Sequence, residues 1–135
     1  MTRTDPAAMW SLHYQLILSV MADIAADISR LSLEPKELFV LAEIDAHPYP
    51  TELAGILCMP RPTMTATVKR LETAGFVRRV IDPDDLRRHR LLLTTAGRRA
   101  MVRGVAVISE AFGARLARLS ATEQRKLQAL LQKLS

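Results

Sequence analysis

Pro60-Arg61-Pro62-Thr63-Met64-Thr65-Ala66-Thr67-Val68-Lys69-Arg70-Leu71-Glu72-Thr73-Ala74-Gly75 opens the segment that decides the fold, and the residues from Phe76 to Gly97 complete it. Met64, Val68 and Leu71 recur at i, i+4 and i+7, so one narrow stripe of a helix faces a core. Pro62 suits a first helical turn, where no amide donor is needed, and Gly75 suits a left-handed stop. At about 100° per residue, Pro62, Thr63, Thr65, Ala66, Lys69, Arg70 and Thr73 fall on or beside the opposite face. That face is basic, rich in hydroxyls and low in bulk. Beyond Gly75, Phe76–Ile81 and Arg90–Thr94 are β-capable runs flanking Asp82-Pro83-Asp84-Asp85-Leu86-Arg87-Arg88-His89, the pattern of a hairpin with a longer loop. Thr94 then offers a hydroxyl cap to a following helix. A glycine-stopped helix followed by a cation-tipped hairpin outlines a winged helix-turn-helix. Such a helix fits the DNA major groove, and a thin arginine-bearing arm fits the narrower minor groove.

The chain resembles the MarR family, the multiple-antibiotic-resistance-type regulators. The resemblance rests on Glu52-Leu53-Ala54, Leu71-Glu72-x-x-Gly75-Phe76-Val77, Asp82-Pro83-x-Asp85-x-Arg87 and Leu93-Thr94-x-x-Gly97, in that order and spacing, and with its flanking helices it spans nearly the whole chain. It implies a cytoplasmic, DNA-binding homodimer, usually a repressor released by a small ligand or by oxidation. It also implies a wing in which Asp85 braces Arg87 by a salt bridge. Three positions depart from the pattern. Leu86 stands where the family usually has a basic residue. Met59-Pro60 replaces the serine-type cap before the recognition helix, and Glu34 precedes Pro35 where a threonine usually opens the second helix.

Charge distribution agrees with the motif. The 135 residues carry a net charge of +5, but residues 1–60 hold three Lys/Arg against eight Asp/Glu, for −5. Residues 61–103 hold eleven against four, for +7, and residues 104–135 hold five against two, for +3. Positive charge therefore gathers on the helix and hairpin, as a phosphate-binding footprint requires. The length suits one domain of 135 residues with a moderate core, given 49% hydrophobic residues. The single cysteine excludes an internal disulfide and a four-cysteine zinc site. Around Leu16–Met21 the apolar run is interrupted by Asp23 and Asp27, too short and too charged to span a bilayer. No leader pattern is seen, so a cytoplasmic protein without membrane association is expected.

In chain order, a long helix is expected from about Ala8 to Leu31, with Trp10, Tyr14, Ile17, Met21, Ile24, Ile28 and Leu31 in a heptad-like stripe. Met9, Leu12, Leu16 and Val20 form a second stripe beside it. So broad an apolar surface is expected to pack its own domain on one side and a partner chain on another. Pro35 to about Ala46 forms a second helix and Thr51–Leu57 a third. The segment from about Arg61 to Ala74 is the fourth, and Thr95 to about Leu119 the fifth. Ser120-x-x-Glu123 is a capping box that opens a sixth, with Leu127, Leu130, Leu131 and Leu134 as its stripe. The expected architecture is mainly α (α+β): a winged helix-turn-helix of about six helices plus a two-stranded β wing. Residues 8–31 and 120–135, with part of 95–119, form a dimerisation region, and about 33–97 form the DNA-binding lobe of a single 1–135 domain.

Catalytic and metal chemistry find no support. His13, His47 and His89 lack metal-ligand spacing, and no nucleophile elbow or glycine-rich phosphate loop is present. His13, beside Trp10 and Tyr14, is expected to be a partly buried structural histidine. Cys58, set between Ile56-Leu57 and Met59-Pro60, is expected to be a small packing residue with a raised thiol pKa. The expected function is sequence-specific double-stranded-DNA binding by a homodimer on a pseudo-palindromic operator, with no cofactor. A winged-helix protein-interaction module is the alternative. Arg61, Thr63, Thr65, Lys69 and Arg70 are the expected groove and phosphate contacts on the helix, and Arg87, Arg88 and Arg90 those on the arm. By resemblance, a small apolar or aromatic effector is expected in a crevice lined by Trp10, His13, Tyr14, Ile17 and Phe39; the alternative is that these side chains are simply core.

Overall fold

The computed structural model describes residues 2–135. Its elements are α1 (Pro6–Arg30), α2 (Pro35–Glu43), α3 (Pro50–Ile56), α4 (Arg61–Thr73), β1 (Val77–Ile81), β2 (His89–Leu93), α5 (Thr95–Leu116) and α6 (Ala121–Leu134). Order and type follow the expectation, and the boundaries move for local reasons. α1 starts earlier because Pro6 needs no donor at the first position and the Asp5 carboxylate accepts the Ala7 amide at 3.0 Å. α2 stops at Glu43, and residues 44–46 form a turn rather than a further helical turn. α5 stops at Leu116, short of Leu119.

The chain forms two compact units, Met1–Ile24 with Val107–Ser135 and Ala25–Ala106. The lobe expected over 33–97 lies inside the second unit, whose core holds Ile28, Leu38, Leu41, Leu53, Met64, Val68, Leu71 and Leu91, all buried. In that unit α3 packs on α4, and α4 packs on β1. Between α3 and α4 the chain turns at Cys58, whose φ of 52° is left-handed, and the Met59 amide returns to the Ala54 carbonyl at 2.9 Å. Gly75 ends α4 with φ 80°, and the Phe76 amide reaches back to the Leu71 carbonyl at 2.9 Å. A side chain at Gly75 would be strained in that conformation.

The two strands pair antiparallel, Val77 opposite Leu93, Arg79 opposite Leu91 and Ile81 opposite His89. Leu91 also donates its amide to the Pro48 carbonyl at 2.8 Å, tying the hairpin to the segment before α3. Thr94 caps α5 as expected: its Oγ1 accepts the Gly97 amide at 3.0 Å and donates to the Gly75 carbonyl at 2.6 Å. Gly97 is required there because a Cβ would overlap the Phe76 carbonyl.

In the first unit, α6 opens on the Ser120/Glu123 capping box, with both reciprocal bonds formed. Arg115 of α5 pairs with Asp23 of α1 at 2.8 Å. Along the heptad-like stripe of α1, Trp10, Tyr14 and Ile17 are exposed, whereas Ile24 and, in the second unit, Ile28 are buried. α6 buries no residue at all. Among the described residues, no helix is long and apolar enough to cross a membrane.

Candidate nucleic-acid interface

The inward face of α4 is Met64, Thr67, Val68 and Leu71, all buried. Thr67 is the polar member. Its hydroxyl donates to the Thr63 carbonyl one turn back at 2.7 Å, so it enters the core without losing a hydrogen bond. This packing leaves Arg61, Pro62, Thr65, Ala66, Lys69 and Thr73 exposed, with Thr63 half-buried beside them. α4 begins on Pro60 and carries no side-chain cap, and Met64 donates to the Pro60 carbonyl at 3.0 Å. An uncapped first turn leaves amides and the positive end of the helix dipole for an outside anion, such as a phosphate.

Arg70 has a partner within the protein. Its Nε and Nη2 donate to the two oxygens of Glu37 on α2, the Nη2 bond at 2.7 Å, and Nη2 also donates to the Ser32 carbonyl at 2.8 Å. Glu37 is 1% exposed and takes a further donor from the Glu34 amide at 2.7 Å. Burial pushes its carboxyl up. The Arg70 and Glu34 hydrogen bonds, with the charges of Arg70 and Lys36, outweigh that and hold it below the ordinary glutamate range. Neither Glu37 nor this role for Arg70 is visible in the sequence pattern, because the two lie 33 residues apart.

The wing is braced from its base outward. Asp82 is buried, accepts a hydrogen bond from the Tyr49 hydroxyl and accepts the Asp84 amide at 2.9 Å. Those two bonds and the charges of Arg90 and Arg88 hold its carboxyl below the ordinary aspartate range, and the same contact pushes the Tyr49 hydroxyl up. The Arg88 guanidinium lies over the Tyr49 ring, 3.7 Å from its centre, a cation–π contact. Arg79 of β1 pairs with Glu72 of α4 at 2.7 Å and so ties the hairpin to the helix.

At the tip, Asp85 accepts the Arg87 amide at 3.0 Å and stands 3.6 Å from the Arg87 Nε. The Arg87 side chain is 94% exposed. Arg90 is half-buried, and its Nε is buried without a hydrogen-bond partner among the described residues. The three expected arm cations thus differ in freedom: Arg87 extends, Arg88 lies on a ring, and Arg90 is held along the strand.

The residues expected to line an effector crevice divide between the units. Trp10 stacks on Tyr14 with centroids 5.9 Å apart and planes 10° from parallel, and His13 lies 6.1 Å from Trp10. Those three and Ile17 are exposed in the first unit, whereas Phe39 is half-buried in the second. His13 is therefore not the partly buried histidine expected. Cys58 also departs from the expected packing residue. It is exposed, because its left-handed turn carries the side chain outward, and its Sγ is 3.8 Å from the Gly55 carbonyl. His47 stands 3.5 Å from Glu52, a contact no spacing argument suggested.

A model of the MarR family matches residues 33–89. The HTH-type transcriptional repressor Rv2887 of Mycobacterium tuberculosis is 30% identical over 132 residues, covering 96% of this chain and 95% of the relative. A crystal structure of that Mycobacterium tuberculosis protein in complex with salicylic acid superposes with a TM-score of 0.76 at 28% identity, covering each chain completely (100%). The transcriptional repressor CouR bound to a 23-mer DNA duplex superposes with a TM-score of 0.75 at 26% identity, covering 98% of this chain and 99% of that one. With its glycine-stopped helix, braced basic wing and end-to-end match to these regulators, the chain belongs to the MarR family and is a winged helix-turn-helix DNA-binding regulator of transcription.

Proposed function

We propose that the protein is a cytoplasmic homodimeric repressor that sets α4 of each subunit into the major groove of a pseudo-palindromic operator. The wing around Arg87 then reaches the flanking minor groove. One observation carries the reading: the face of α4 left free by core packing bears Arg61, Thr65 and Lys69 with an uncapped first turn. Arg61, Thr63, Thr65 and Lys69 supply groove and phosphate contacts. Arg87 is the principal arm cation, braced by Asp85, and Arg88 and Arg90 add charge at its base.

A shift assay with duplex DNA at two salt concentrations tests this reading. A dimer neutralising roughly six to ten phosphates loses on the order of 10³–10⁵ in affinity between 50 and 200 mM salt. Binding that stays flat over that range excludes it. The exposed apolar Ile81 and Leu86 on the wing favour a second reading, a protein-docking winged helix. In that case the same assay returns no duplex binding at low salt.

Release by a small apolar or aromatic effector is the regulatory half of the proposal. It is supported by the exposed aromatic cluster of Trp10, His13 and Tyr14, and by the salicylic acid complex of the mycobacterial relative. Release requires that the effector bind the non-binding conformation more tightly than the DNA-bound one. Adding salicylate or peroxide to the parent and to Cys58→Ser separates the routes. Peroxide release of the parent alone overturns effector control in favour of thiol oxidation.

A further inference from the structure

Arg70 sits on the recognition helix within the most basic segment of the chain and its side chain is 47% exposed, yet most of its donors are taken by partners in the same chain. Two donors go to Glu37, a third to the Ser32 carbonyl, and only Nη1 is left free. Glu37 in turn is almost fully buried, and three donors converge on its carboxylate. Ser32 is no ordinary acceptor either: its φ of 61° marks the sharp elbow between α1 and α2.

Apart from the single Arg79–Glu72 bond to the hairpin, the other contacts of α4 are of a different kind. Met64, Val68 and Leu71 supply apolar packing, which has no directional preference and tolerates small rotations about the helix axis. A forked guanidinium on a fixed carboxylate does not tolerate them, because both bonds need one plane and one spacing. Rotation matters greatly for reading DNA. With side chains reaching about 5–6 Å from the axis, a roll of about 20° displaces their tips by about 2 Å. Hydrogen bonds to base edges survive over only a few tenths of an ångström.

From these observations we infer that Arg70 is a positioning residue of the recognition helix: clamped to Glu37 and the Ser32 carbonyl, it sets the rotation at which Thr65 meets the bases while Lys69 meets the phosphates. The inference rests on the proposed entry of α4 into the major groove. It assigns Arg70 away from phosphate contact and gives Glu37, which cannot reach DNA, a part in sequence discrimination.

The experiment uses the full chain and a duplex enriched by the parent protein from a random pool. Affinities for that duplex and for an unselected one are measured from 50 to 200 mM salt. Arg70→Lys is the decisive variant, because lysine serves well as a phosphate ligand but cannot reproduce the fork. The expected result is a fall in the selected-to-unselected ratio on the order of tenfold, the discrimination of about one base pairing, with the salt slope unchanged. Glu37→Gln is expected to lower the ratio similarly, and Arg70→Lys with Glu37→Gln no further than either alone.

Lys69→Ala serves as the comparison, with a salt slope reduced by about 1 for each phosphate no longer neutralised and both duplexes weakened together. Arg70→Lys that binds like the parent, with Arg70→Ala showing the Lys69→Ala pattern, overturns the inference and makes Arg70 a phosphate ligand. A variant with a lowered unfolding midpoint and an unaltered ratio also overturns it, since a purely structural clamp leaves discrimination intact. If Glu37→Gln does not fold, Arg70→Lys decides alone. A parent protein that enriches no duplex overturns the DNA-reading proposal itself, whereas enrichment retained equally by parent and Arg70→Lys overturns the positioning role only.

Discussion

Arg87 and Asp85 show how a two-residue spacing becomes a working arm. Asp85 holds the Arg87 amide at 3.0 Å and its Nε at 3.6 Å, so the carboxylate fixes where the side chain leaves the hairpin. The guanidinium beyond that point is in water, where an ion pair adds little to folding stability. Its value lies in the electrostatics of encounter with a narrow, negative groove. Arg87→Ala is therefore expected to weaken duplex binding about tenfold, within the range for removing one arginine from a DNA interface, with the unfolding midpoint unchanged. Asp85→Ala is expected to weaken binding less, because the arginine is freed rather than removed. Titration of each variant with labelled duplex checks the order, and an Arg87→Ala protein equal to the parent removes Arg87 from the interface. Leu86, next to it and 77% exposed, brings no charge to the tip.

At the scale of elements, what was legible in the sequence was local. The stripe Met64, Val68, Leu71 and the stop at Gly75 sit within one helix, and their periods encode its inward face directly. The Ser120/Glu123 box and the Thr94 cap are equally short-range and equally readable. The pairs that lock one element to another were not readable. Glu37 with Arg70 and Tyr49 with Asp82 are each separated by 33 residues, and no periodicity connects them. The sequence pattern therefore offers Arg70 as a groove or phosphate contact without its Glu37 partner, and it gives no sign of the Tyr49–Asp82 bond. Tyr49→Phe tests the second lock: it keeps the ring beneath Arg88 and removes only the hydroxyl donor. The folded Asp82 carboxyl lies below its ordinary 3.8, so its contribution is present above that value and lost as pH falls through the lower folded one. Without the hydroxyl the folded value rises toward 3.8, and wing loosening is expected to begin at higher pH. Amide protection at Asp82 and Arg88, followed across an acid titration of parent and variant, reads this out. Identical profiles discount the Tyr49 brace.

At the scale of the whole molecule, the charge division was legible, with −5 in residues 1–60 and +7 in residues 61–103. Where one unit gives way to the other was not, since both boundaries fall inside helices, α1 and α5, where helical periodicity continues without a break. What the first unit leaves uncovered argues for a second copy. Met9, Trp10, Leu12, Leu16, Ile17 and Leu18 of α1 and Leu130, Leu131 and Leu134 of α6 are all exposed in the single chain. Lone exposed apolar residues are ordinary, but a concentration of this size on the two terminal helices marks an interface. A symmetric pair formed by these helices presents two copies of α4 related by a two-fold axis, as a pseudo-palindromic site requires. The scattering mass at micromolar concentration is therefore expected at about twice the 15.1 kDa of one chain. Trp10, the only tryptophan, reports on the same event, because it is 63% exposed in one chain. On dilution its emission should shift to the red in step with the falling mass. Leu130→Arg, which puts a charge into the proposed seam, should shift both readings toward the single chain at concentrations where the parent is paired. Operator affinity should fall with them, since the two half-sites would then be bound independently. A parent mass near 15.1 kDa at micromolar concentration counts decisively against pairing through the terminal helices.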